Sequence, residues 1–383
     1  MSAVAAPAAT RRPLALLAAG HASADMCQGA VPALIPFLIA QRGMSFASTT
    51  GLLVAMTIAS SVLQPLLGVL SDRHATRWLM PAALCCAAAG IALLGVSQGY
   101  GAMLVAVSLS GLGVAAFHPD AARRVSAESG ERGATAMSYF ALGGNAGFAL
   151  APAAITPAVL LLGLPGAGVV LAPALACAAL LAAAGAGAPA RAEAPPETRG
   201  PDRWSPFARV AGIAVLRSGV YFGLQAFLAV YFVVHLGTSE AFGNAALTVM
   251  LVAGAAGTLA GGRLADHVDR RAVLGGFMLA IPPLLALLLV TGDAAAGVVV
   301  VAAIGFVTIG NFSLTVVIGQ EYLPGRPALA SGITLGLAIG LGGLIAAVLG
   351  PLADQLGVPA VLWLLAALPL PAAALAASLP RTG

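Results

Sequence analysis

The sequence predicts an all-α membrane protein of twelve transmembrane helices, arranged as two parallel six-helix repeats. Three observations predict it. First, of 383 residues 60% are hydrophobic and only 8% are charged, with a mean hydropathy of +0.98, whereas a soluble domain carries about 25% charged residues. Second, apolar runs long enough to cross a bilayer recur along the whole length. Third, the pattern at the end of one early run returns 194 residues later, from Gly68 to Gly262.

In chain order, the first half holds spans at 13–39, 48–70, 78–97, 100–122, 133–162 and 164–186. The second holds 207–236, 243–265, 272–291, 294–320, 328–350 and 358–379. The chain therefore divides into an N-terminal bundle (1–186), a Pro-, Gly-, Arg- and Glu-rich linker (187–206) that reads as solvated and cytoplasmic, and a C-terminal bundle (207–383).

All 18 basic residues are arginines. Without lysine, a Walker A ATP site, a retinal Schiff base and a pyridoxal Schiff base are all excluded within this chain. The arginines also set orientation. With the N-terminus cytoplasmic, every loop or tail arginine except Arg42 falls on the inner side, and Arg217 alone lies inside a span. Both termini are therefore expected in the cytoplasm. The pI of about 9.2 comes from these loop arginines and does not point to nucleic acid. The four cysteines sit in apolar runs without metal-ligand spacing, and no metal or cofactor is expected.

The repeat is detailed. Gly68-Val-Leu70-Ser-Asp72-Arg73 ends span 2, and Gly262-Arg-Leu264-Ala-Asp266 ends span 8. At the same offset, Gly43-Met-Ser45 after span 1 meets Gly237-Thr-Ser239 after span 7. Two halves of like topology enclose a central site that can open to either side.

Polar residues inside the spans mark candidate sites, because burying an ionisable group in hydrocarbon is costly. His21, Asp25, Gln28 and Pro32 fall in a stripe about 60° wide on the first helix, with Asp25 near the bilayer midplane. On span 7, Arg217, Tyr221 and Gln225 recur every four residues. Arg217 matches Ser23 at the repeat offset, so it lies within a turn of Asp25 in depth. Asp25 and Arg217 thus form either a structural charge pair or a working one, in which a proton on Asp25 frees Arg217 to hold an anion through its fork of donors. His21 is either a proton relay or a partner of Asp25. His118 and Asp120 flank Pro119 at the inner end of span 4, as a proton entry, an inner-gate pair with Arg123, or helix capping. Glu321 ends span 10 with the same readings, and Asn311, Thr315 and Tyr322 share one face there. Glycine ridges at Gly143, Gly144 and Gly147 and at Gly332, Gly336, Gly340 and Gly343 read as close packing surfaces.

Gly68, Leu70, Asp72, Arg73 and Arg77, with the second copy at Gly262, Leu264, Asp266, Arg270 and Arg271, resemble the cytoplasmic loop motif of the major facilitator superfamily. The first copy departs from it at Ala75 and Thr76. Within that superfamily, His21 to Pro36, Phe117-His118-Pro119-Asp120-Ala-Ala-Arg123 and Gly319-Gln320-Glu321-Tyr322-Leu323-Pro324 resemble the fosmidomycin-resistance family of exporters. The resemblance implies the major facilitator fold, spans 1, 4, 7 and 10 around the cavity, and gating by Asp72, Arg73, Arg77, Asp266 and Arg270. It implies proton-coupled export of a small drug or metabolite from a bacterial inner-membrane monomer, with protons and the bilayer as the other partners, and Arg217 favours an anionic compound such as fosmidomycin. Import of an organic anion by proton symport uses the same chemistry and stands as the alternative. A receptor would add a sizeable soluble domain. An enzyme would need a metal set or a nucleophile–base pair, and no HExxH or GxSxG string occurs, so no enzymatic activity is expected.

Overall fold

The computed structural model describes residues 8–64, 67, 78–129, 133–184, 201–324, 326, 329–330 and 332–380. Every regular element among them is helical: α1 (Ala8–Arg42), α2 (Phe46–Val62), α3 (Leu79–Val96), α4 (Tyr100–Ser129) and α5 (Gly133–Leu162). A short 3₁₀ stretch, Leu164–Val170, leads into α6 (Leu171–Ala183). Then come α7 (Trp204–Val230), α8 (Glu240–His267), α9 (Arg270–Thr291), α10 (Ala294–Gly310), α11 (Phe312–Tyr322), α12 (Ala338–Leu356), α13 (Val358–Ala367) and α14 (Pro369–Ala377). Among the described residues, eleven helical segments are long and apolar enough to cross a membrane, and Phe46–Ser61 is a shorter apolar helix. The expected spans are therefore found, and their main departures have physical causes. Span 10 is interrupted at Asn311, whose backbone leaves the helical region and whose side-chain Nδ2 donates back to the Val307 carbonyl. Span 4 runs straight through Pro119 to Ser129 and does not end there.

The repeat reaches the helix ends. Gly43 and Gly237 both take left-handed backbone angles, φ 61° and 67°, which cost glycine nothing. Each is followed by the same closing bond, Met44 N–H to the Leu38 carbonyl and Thr238 N–H to the Phe232 carbonyl, as in a Schellman cap. Two residues after each glycine, a serine starts the next helix: Ser45 Oγ accepts from the Ser48 N–H and Ser239 Oγ from the Phe242 N–H, each at 3.2 Å.

By contact, the chain falls into two compact units: Met1–Val31 with Leu63–Glu193, and Pro32–Val62 with Ala194–Gly383. In the first, Leu17, Ala24, Leu84, Phe117, Ala121, Phe140 and Leu181 are buried together. Gly143 and Gly147 of α5 rest on the α1 backbone at Ala18 and Ala22, where any side chain would collide. The second unit takes the end of α1 and all of α2. A Cβ on Gly343 would lie 2.8 Å from Thr57, and one on Gly350 would strike Thr50, so α2 and α12 touch along bare backbone. Asp354 of α12 caps α2, its two carboxylate oxygens accepting from the Phe46 and Ala47 N–H groups at 2.8 and 2.9 Å.

Candidate functional site: two buried charges

In the first unit, α1 presents His21 and Asp25 one turn apart, and α4 brings His118 to the same point. His21 Nε2 lies 3.3 Å from Asp25 Oδ2 and His118 Nε2 lies 3.0 Å from Oδ1. His21 and Asp25 are 8% and 6% exposed. His118 approaches Oδ1 as an ion-pair contact outside good hydrogen-bond alignment, since Oδ1 has no well-directed donor among the described residues. Each ring is fixed from behind. His21 Nδ1 meets the Phe140 carbonyl at 2.7 Å, and His118 Nδ1 meets the Val114 carbonyl at 2.8 Å. Phe140 stacks on His21 with centroids 4.0 Å apart, and the two imidazoles meet edge to face. Gly144 closes the site: a Cβ there would sit 2.5 Å from Asp25 Oδ2 and 2.6 Å from His21 Cε1. The three donor atoms lie within 4.8 Å of one another, close enough for a divalent cation. The sequence shows no such spacing because His118 comes from a different helix than His21 and Asp25.

The second unit holds the opposite charge. Arg217 of α7 is fully buried, and its guanidinium lies over the Phe312 ring, 3.7 Å from the centroid. Nη2 donates to Ser218 Oγ at 3.2 Å. Nε and Nη1 have no hydrogen-bond partner among the described residues, and no ion pair there involves Arg217. The cation–π contact contributes about 2 kcal/mol when desolvated, less than the several kcal/mol that burying an ion costs. Among the described residues, Gln225 Nε2 on α7, Thr308 Oγ1 on α10 and Asn311 Oδ1 at the break before α11 also lack hydrogen-bond partners. Tyr221 packs against Phe312 at 6.5 Å. The backbone here is set by Gly342 of α12, where a side chain would strike Ser218.

The other expected residues are placed as follows. Asp25 and Arg217, read as a pair, are each engaged inside their own unit. Asp120 turns away from the triad and is held by Arg123 and by Arg124 Nε at 3.1 Å. Glu321 pairs with Arg270, and lies about 14 Å along α11 from Phe312 at 1.5 Å per residue. Tyr322 is structural, its hydroxyl donating to the Pro380 carbonyl at 2.7 Å. Gln28 is half-buried on α1. Asp72, Arg73 and Arg77 lie outside the described residues, as does the side chain of Asp266.

A family model, the Major Facilitator Superfamily, matches residues 17–347. The chain belongs to the major facilitator superfamily. Among similar superfamily members, the Fosmidomycin resistance protein of Escherichia coli (strain K12) is 31% identical over 366 residues, covering 93% of this chain and 90% of that one. An uncharacterized MFS-type transporter of Bacillus subtilis (strain 168), YfnC, is 32% identical over 367 residues, covering 91% and 88%. Two solved structures of a bacterial homolog to the human lysosomal transporter Spinster share the fold. The inward-facing, occupied form has a TM-score of 0.76 at 16% identity over 99% of this chain and all of that one. The inward-facing, unoccupied form has 0.72 at 14%, over 97% of each. The protein is thus a multi-pass membrane transporter of this superfamily.

Sequence reasoning missed Phe140, Gly144, Ser218, Thr308 and Phe312 as site residues. Gly144 and Phe312 had visible signals, the first inside a glycine ridge and the second beside Asn311. Nothing in the sequence marks the Phe140 carbonyl.

Proposed function

We propose that this transporter exports a small anionic compound from the cytoplasm in exchange for protons, by alternating access. One observation carries the proposal: a buried carboxylate held by two imidazoles, which are the groups that exchange protons near neutral pH. Arg217 is the anion-binding group. Its unpartnered donors and stacked Phe312 ring, with Tyr221 packed on that ring, suit a carboxylate or phosphonate, and Gln225 and Asn311 are proposed to line the same site. The relative named for fosmidomycin resistance supports export and makes that phosphonate the first compound to try. Asp72, Arg73, Arg77, Asp266 and Arg270 are the proposed inner-gate residues, and the Arg270–Glu321 pair fits a contact that breaks and reforms. The arginine asymmetry supports a bacterial inner-membrane protein with both termini inside, and a monomer is the working state.

The test is growth of a fosmidomycin-sensitive bacterium expressing wild type or Asp25→Asn at equal levels. Protection by wild type that Asp25→Asn abolishes is the expected result. Heightened sensitivity would reverse the direction to proton-driven import, and protection unchanged in Asp25→Asn would remove Asp25 as the proton carrier.

A further inference from the structure

Resting on the proton-coupled reading, we infer that His21, Asp25 and His118 form one store with room for two protons. The argument begins behind the rings. A carbonyl oxygen can only accept a hydrogen bond. The Phe140 and Val114 carbonyls therefore require an N–H at Nδ1 of His21 and of His118. A neutral imidazole holds one N–H, so in each neutral ring Nε2 is a bare lone pair. Both Nε2 atoms face Asp25, one to each oxygen. An ionised Asp25 between two neutral rings, net charge −1, thus sets lone pair against lone pair at both contacts.

One proton, on either Nε2 or the carboxylate, brings the net charge to zero and repairs one contact. A second brings it to +1 and repairs the other. No third proton has a contact to fill. Loading then amounts to two protons from water bound at the Nε2–oxygen contacts, and unloading returns both. Each proton repairs one contact; the first also removes the net charge and the second restores one, so the two load in sequence.

The surroundings leave the count at two. On α1 the nearest other titratable group is Cys27. On α4, Asp120 is occupied by Arg123 and Arg124. From α5 the site meets the Phe140 carbonyl and Gly144. Next to it, Cys177 of α6 accepts from Ser23, and α3, packed on α4, brings Cys85 and Cys86. Gly144 keeps the space at Oδ2 clear.

The experiment is nitrogen NMR of full-length protein labelled with ¹⁵N-histidine, in lipid nanodiscs. The other three histidines would be removed as His74→Gln, His235→Gln and His267→Gln. At alkaline pH both rings should show a protonated Nδ1 and a bare Nε2, the minor form of free histidine in water. On acidification both Nε2 resonances should convert, one after the other, giving two protons per chain. In Asp25→Asn the amide donates to one Nε2 and accepts from only one charged ring, so uptake should fall from two protons to one.

A ring that stays neutral throughout, or an Nε2-protonated form at alkaline pH, would overturn the inference. So would Nε2 resonances that shift on adding a chelator, which would assign the three donors to a divalent cation. If Asp25→Asn does not fold, the wild-type spectrum alone decides. No substrate is involved, so failure of the export proposal shows separately, as absent pH-driven flux beside an intact two-proton titration.

Discussion

Asp25 and Arg217 are both buried, both ionisable and both within membrane spans, yet the fold treats them in opposite ways. Asp25 has an imidazole at each oxygen and a glycine keeping its space clear. Arg217 has one hydroxyl, one aromatic face and two donors that lack a partner among the described residues. A group surrounded by titratable partners can change its own charge inside the protein. A guanidinium cannot, because it stays protonated at any physiological pH. This contrast supports the proposal that the compensating charge for Arg217 arrives with a ligand. The difference supports the proposed division, with protons at Asp25 and the transported anion at Arg217.

Substitutions can break that contrast. The largest effect is expected from Arg217→Met, which keeps the volume and removes the charge. Anion binding should weaken on the order of 100-fold, while stability holds or rises by about 1–4 kcal/mol, as when buried ions are replaced by apolar groups. Isothermal calorimetry with fosmidomycin and a thermal melt measure the two sides. A protein that unfolds in Arg217→Met would make the arginine structural.

Gly144→Ala comes next, placing a methyl 2.5 Å from Asp25 Oδ2. Overpacking of this kind costs about 1–3 kcal/mol, and pH-driven transport should fall at least roughly tenfold by the same displacement. Gly276→Ala has open space around it and should leave transport unchanged. Equal effects of the two would remove the triad as the reason.

Phe312→Leu sharpens the other side. It removes about 2 kcal/mol of cation–π contact, so binding should weaken roughly 10- to 30-fold with the pH response unchanged. Smallest of all is Asp354→Ala, which touches neither charge. Losing the α2 cap should cost about 1 kcal/mol, seen as a thermal midpoint lower by a few degrees, with anion affinity unaltered. Altered affinity would tie the α2–α12 contact to the binding site.

Much of this was legible in the sequence, for reasons that also explain the rest. Twelve apolar runs and the 194-residue repeat are properties of composition and spacing, and they survive into matched caps at Gly43 and Gly237. His21 and Asp25 lie one turn apart on one helix, so their meeting is a matter of period. His118 and Asp120 looked like one cluster because they are close in sequence. Two residues on a helix point about 200° apart, and the structure sends His118 to Asp25 and Asp120 to its own arginines.

The Phe140 and Val114 carbonyls that fix the imidazoles leave no trace in residue identity, since every residue has one. Contact also groups α2 with the second unit. That follows from Gly343 and Gly350 meeting Thr57 and Thr50, a match between distant bare surfaces that no local pattern reveals.

The most direct measurement is fosmidomycin flux in proteoliposomes, comparing wild type, Asp25→Asn and Arg217→Met in two modes. One mode is accumulation driven by a pH gradient. The other is exchange of labelled for unlabelled compound with no gradient. Asp25→Asn should abolish the first and keep the second, because exchange needs the anion site but no net proton movement. Arg217→Met should abolish both. If Asp25→Asn still accumulates the compound, or if both variants lose both modes equally, the division of labour between the two buried charges is wrong.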